Sequence, residues 1–121
     1  MKTLYLAVAF AALLTTACTR HSELHDAMED MGGAFKVMRE SQDITQLKQK
    51  MVEFKAGLEI SAAQPVRPED QAAFDEGIKK LEGLVAKVDA ALAQGDLAAA
   101  KAAIDELGSV RKRYHEKLGV K

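Results

Sequence analysis

Tryptophan is absent from this 121-residue chain, tyrosine occurs twice and phenylalanine four times. So few rings leave no stacking platform of the kind that binds single-stranded nucleic acid. Neither sign of charge dominates: 17 Lys and Arg face 18 Asp and Glu, a formal net charge of −1. Nothing in that balance favours a polyanionic partner. The single cysteine excludes a disulfide within one chain, so the core must hold itself together. Proline occurs twice and β-branched runs are few. What remains is rich in Ala, Leu, Lys, Glu and Gln, the better helix formers. There is no internal repeat, no P-loop and no glycine-rich nucleotide fingerprint. No acid–base pair or activated nucleophile points to an enzyme. The length suits one all-α domain with one core.

The first residues stand apart from that domain. Lys2 gives a short basic start, and Leu4 to Leu14 is continuously apolar or aromatic. That run is too short to span a bilayer as a helix. Thr15, Thr16 and Ala17 follow as small residues before a cleavage point, so residues 1–17 are laid out as a secretory signal peptide. Removing them leaves 16 basic and 18 acidic side chains. Cys18 then resembles the acceptor cysteine of bacterial lipoproteins, although Thr15 stands where that motif usually has Leu. Ordinary cleavage near Ala17 is the alternative. Both routes lead out of the cytoplasm, to the periplasm, either free or attached to a membrane through a lipidated Cys18.

Four periodic segments occupy residues 22–121. Helix A is expected from about Ser22 to Ser41, with Leu24, Met28, Met31, Phe35 and Met38 on one stripe. Helix B runs from about Asp43 to Ala62, with Ile44, Leu47, Met51, Phe54 and Leu58. Helix C runs from about Pro68 to Gln94, with Phe74, Ile78, Leu81, Val85, Val88 and Leu92. Helix D runs from about Asp96 to Leu118, with Leu97, Ala100, Ile104, Leu107, Arg111, Tyr114 and Leu118. Each spacing of three or four residues puts an apolar stripe on one helical face. Helices of this length span about 30 Å each. Ser41 and Asp43 can cap helix B, Pro68 suits a first helical turn, and Gly95-Asp96 can stop helix C and cap helix D. All three links are short, which predicts an antiparallel up-down-up-down four-helix bundle.

In such a bundle the start of helix A and the end of helix D lie at the same end. Met28 and His115 can then face each other. His115 lies eleven residues after Ile104, about 20° away on a helical wheel, and Met28 lies seven before Phe35, about 20° the other way. Both therefore fall on the buried stripe. A thioether and an imidazole on opposite sides of a planar iron cofactor form one of the known axial pairs for haem. Each residue also has an ordinary reading. A methionine on such a stripe fills gaps, and a lone histidine there is often a boundary residue. Tyr114 could be plain core, and Arg111 could snorkel outward.

Two stretches resemble the cytochrome b562 family. Asp26-Ala27-Met28-Glu29-Asp30-Met31 with Ala34-Phe35-Lys36-Val37 is similar to its first helix. Arg111-Lys112-Arg113-Tyr114-His115-Glu116-Lys117 is similar to its C-terminal Arg-x-x-Tyr-His segment. The likeness extends over residues 22–121, with Phe74 and Gly77 also matching. It implies one haem b with Met28 and His115 on the iron, contacted by Met31 and Phe35, by Phe74 and Ile78, and by Arg111 and Tyr114. Ile78 stands where the family has a second Phe beside the haem, and Gly119 where it has a further Arg. Gly32-Gly33 interrupts helix A, at about 1 kcal/mol per Gly relative to Ala, and either makes room for the porphyrin or marks a kink. The link between helices B and C is several residues shorter here.

With both axial positions filled, such a protein carries electrons between redox protein partners and is not an enzyme. No Cys-x-x-Cys-His is present, so the haem would be held noncovalently. Arg111 could pair with a propionate or, equally, with a Glu. Two other readings compete. Cys18, His21, His25, Met28, Met31 and Met38 could form a copper site, or that segment could be a frayed, solvated helix start. The chain could also be a cofactor-free periplasmic bundle acting as a scaffold, chaperone or metal carrier.

Overall fold

The computed structural model describes residues 19–120, and side chains from Glu23 onward. The signal peptide at 1–17, Cys18 and the His21 side chain lie outside the described residues. Four helices make up the fold: α1 at Thr19–Glu40, α2 at Ile44–Ala62, α3 at Gln71–Ala93 and α4 at Leu97–Leu118. The chain is an all-α four-helix bundle, as the periodicity requires. Among the described residues, no helix is long and apolar enough to cross a membrane.

Local chemistry sets the ends. The Asp43 carboxylate accepts from the Thr45 N–H at 2.9 Å, and the Ser41 hydroxyl accepts from the Asp43 N–H at 3.1 Å. Gly95 turns the chain in the left-handed region at φ 68°, and Asp96 accepts from the Ala99 N–H at 3.0 Å. These are the caps expected of the two short links. Two boundaries differ from expectation. The first helix begins earlier, at Thr19. The third begins later, at Gln71, because Pro68 sits in a turn closed by the Asp70 N–H on the Arg67 carbonyl. Asp70 also makes no side-chain cap, since its carboxylate is drawn 2.8 Å from the Arg67 guanidinium.

Close approaches show the antiparallel order. Gly57, late in α2, backs onto Ala27 and Met31, early in α1. Gly77, early in α3, lies under Tyr114, late in α4. Lys101, early in α4, reaches the last carbonyls of α1. The α1–α2 and α3–α4 hairpins are tightly packed, whereas the α1–α4 seam is loose. Met38, Leu47, Val88 and Ile104 are fully buried at the end that holds the α1–α2 and α3–α4 turns. The opposite end holds the start of α1, the end of α2, the start of α3 and the end of α4. There the core opens.

Candidate functional site

At that open end an apolar cleft runs between α1, α3 and α4, with Phe54 of α2 also lining it. Helix α1 presents Met28, Met31, Gly32 and Phe35 to it, one and two turns apart. Helix α3 presents Phe74, Gly77, Ile78 and Leu81. Helix α4 presents Leu107, Val110, Arg111, Tyr114, His115 and Leu118. All eight residues singled out from the sequence therefore line one cleft.

Their environments differ. Met31, Phe35, Phe74, Ile78 and Tyr114 are buried, with Tyr114 at 6% exposure. Met28 and His115 are half-buried at the mouth, and Arg111 is exposed. Met28 and His115 also border a second cleft over the end of the bundle, beside Leu24, His25, Val66 and Asp70. Among the described residues, no donor reaches the Met28 sulfur and no partner bonds the His115 ring. Burial lowers the His115 pKa below its ordinary 6.5, and the neighbouring Arg111 charge lowers it further. The imidazole is therefore neutral at pH 7, the form that can donate an electron pair. Arg111 forms no ion pair with a described acidic residue, so the Arg–Glu alternative does not form. Lys80 and Lys117 each stand 5.6 Å from the centre of the Tyr114 ring, with Glu76 bridging the two ammoniums at 3.5 Å. The Tyr114 hydroxyl and then Lys117 hold the Glu76 carboxyl below the usual carboxylate range.

Two glycines shape the site without being predicted as part of it. A Cβ on Gly77 would come within 2.9 Å of Tyr114 Cγ, and one on Gly108 within 2.8 Å of Phe35 Cζ. Each glycine lets an aromatic wall residue lie against a helix backbone. Their place on otherwise apolar stripes, one turn after Phe74 and one before Arg111, is the signal that could have found them. Gly32 and Gly33 differ: α1 runs through both without a break, and a Cβ on either would meet nothing within 4 Å.

Of the copper set, the Cys18 and His21 side chains lie outside the described residues, and the described members are spread along α1. Met38 is fully buried at the far end of α1, and His25 pairs with Glu29 at 3.2 Å in solvent. Among the described residues, no group of three or more His, Cys, Asp or Glu could hold a metal ion. The thioethers of Met28 and Met31 and the neutral His115 imidazole are the soft donors facing the apolar cleft.

The sequence profile of one family, Cytochrome b562, matches residues 23–118. The chain belongs to the cytochrome b562 family. Membership makes it a haem-binding four-helix-bundle cytochrome, with haem of the b type. No solved structure matches it. The cleft fits such a group in chemistry: its walls are apolar, Met28 and His115 lack protein partners among the described residues, and the Arg111 cation stands free at its rim.

Proposed function

We propose that this cytochrome b562 family member is a periplasmic electron carrier that holds one haem b noncovalently between Met28 and His115. The observation that carries this reading is the pair of partnerless donors at the mouth of one apolar cleft, on helices that share few contacts. Haem bound there would supply a one-electron couple, and Met28 and His115 are the residues that would hold its iron. The protein residues do the rest. His115 offers a neutral ring nitrogen, and Met28 a thioether that favours the ferrous form. Phe35, Phe74, Ile78 and Tyr114, buried along the cleft, would exclude water from a bound porphyrin. Arg111, exposed and unpaired, offers a fork for a propionate at the rim. Noncovalent binding follows from the absence of any Cys-x-x-Cys-His. Export rests on residues 1–17, and attachment to a membrane on Cys18.

Titration of the apo-protein with haem tests the function. The expected result is a low-spin complex at one haem per chain. Absence of stoichiometric low-spin binding defeats the electron-carrier reading and favours the scaffold. Export and anchoring have their own test: fatty-acid labelling is expected in the wild type and not in Cys18→Ser. Equal labelling of both sinks the lipoprotein assignment.

A further inference from the structure

Two methionines face the cleft from α1, and they are three residues apart, so both fall on nearly the same side of the helix. Helical spacing alone does not choose between their sulfurs. The neighbouring helix does. Ser61 of α2 is fully buried, and its hydroxyl donates to the Met31 sulfur at 3.7 Å. Four residues earlier, Gly57 leaves a notch in the same face of α2. A Cβ there would lie 2.6 Å from Met31 Cγ and 3.0 Å from the Ala27 carbonyl oxygen. The Met31 side chain fills that notch and is 5% exposed. Its sulfur is thus occupied as an acceptor, on the α2 side. Neither Gly57 nor Ser61 lines the cleft itself. Met28 has no such anchor: it is half-buried at the mouth, and no described residue donates to its sulfur.

We infer that Ser61 and Gly57 are positioning residues that select the axial methionine, tethering Met31 to α2 so that Met28 is the thioether presented to the cofactor. This rests on the haem reading above. The hydroxyl–sulfur bond is weak, because a thioether is a poor acceptor. In the buried, crowded notch it needs only to bias a flexible side chain among its rotamers. Without the hydroxyl, Met31 keeps only its packing in the Gly57 notch and turns more readily toward the space vacated when Met28 is shortened.

The test uses full-length haem-loaded protein with carbon-13-labelled methionine methyl groups. A methyl on an axial methionine lies over the porphyrin and is shifted far upfield. Wild type is expected to show one such methyl, and Met28→Ala none, with a high-spin ferric spectrum. Met28→Ala/Ser61→Ala is expected to regain low-spin absorption and an upfield methyl, and adding Met31→Leu should remove both. Met28→Ala/Ser61→Thr keeps the hydroxyl and should stay high-spin. A Met28→Ala/Ser61→Ala protein that stays folded and high-spin overturns the inference. So does a Met28→Ala protein that is already low-spin through Met31, because the tether would then select nothing. Should the Ser61 double variant lose its helicity, Met28→Ala/Gly57→Ala displaces Met31 by steric means and is read in the same way. Failure of wild type to bind haem is a different result and overturns the ligand assignment itself.

Discussion

Met28 and Met38 show how one residue type serves two purposes on a single helix. Both lie on the apolar stripe of α1, yet Met38 is fully buried in the closed end and Met28 stands half-buried at the cleft mouth. Met38→Ala should cost about 2–5 kcal/mol in urea unfolding, the range for emptying a packed core site. Its haem spectrum should not change. Met28→Ala should cost little in the apo-protein but shift bound iron toward high spin and lower its potential. A spectral change in Met38→Ala and not in Met28→Ala would refute the axial assignment. His115→Ala should weaken haem binding sharply and leave the apo-bundle helical, because a half-buried ring near the chain end adds little packing. His115 also carries a pH dependence. Its pKa is lowered in the fold by burial and by Arg111. The folded apo-protein therefore binds fewer protons than the unfolded chain, and its stability falls as pH drops from about 6.5 through the lowered value, then levels off. The effect is small, since the ring is partly solvated. His115→Gln should flatten that part of the curve, which urea midpoints at pH 7.5 and pH 5 would reveal. Haem should leave wild type at lower pH still, since the proton must compete with the iron for the ring nitrogen.

Helix α1 carries two consecutive glycines, and its two neighbours decide what each does. Gly33 is exposed and Gly32 faces the cleft, and neither Cβ would touch anything. Both substitutions to Ala should therefore raise apo-protein stability by about 0.5–1 kcal/mol, through helix propensity and loss of chain entropy. They should part company with haem: Gly33→Ala leaves affinity unchanged, whereas Gly32→Ala puts a methyl into the cleft and lowers it. Equal affinities would mean that the porphyrin does not reach that wall. At the other end of the helix, Lys101 of α4 donates to the carbonyls of Met38 at 2.8 Å, Arg39 at 2.6 Å and Ser41 at 2.7 Å. One ammonium thus closes the C-terminus of α1, where the helix dipole favours a cation. Lys101→Met should cost about 1–3 kcal/mol by leaving those carbonyls without their donor. Denaturant unfolding measures the loss, and haem affinity should not follow it.

Across the whole molecule, packing is divided between the two ends. The turn end is filled by the fully buried Met38, Leu47, Val88 and Ile104. The other end leaves a cleft along the loose α1–α4 seam. A ligand that binds only the folded state adds stability by mass action, so the thermal midpoint should rise with free haem. Exchange protection should rise most at Met28 to Phe35 and at Val110 to Leu118, and least around Met38 and Ile104. Uniform protection would argue against a cleft confined to one end.

Much of this arrangement follows from local rules that a sequence carries. Stripes at three and four residues, Asp43 and Asp96 as caps and Gly95 as a stop require four helices and short links, and short links force antiparallel neighbours. That geometry alone brings Met28 and His115 to one end, so eight of the lining residues could be named from spacing together with family resemblance. Some local signals are ambiguous: Pro68 suits a first helical turn, but the Arg67–Asp70 pair holds it in a turn before α3. Contacts between distant segments leave no local trace. Nothing around Gly57, Gly77 or Gly108 says which side chain will lie against each backbone, because that depends on the register between helices. Ser61 looks like an ordinary helical serine until α1 is laid beside it. Lys101 reads as a solvated charge until α1 ends against it, 60 residues away along the chain. Helical period decides which residues can face a common cleft. Helix-on-helix packing decides which of them are held back from it and which are left free to bind.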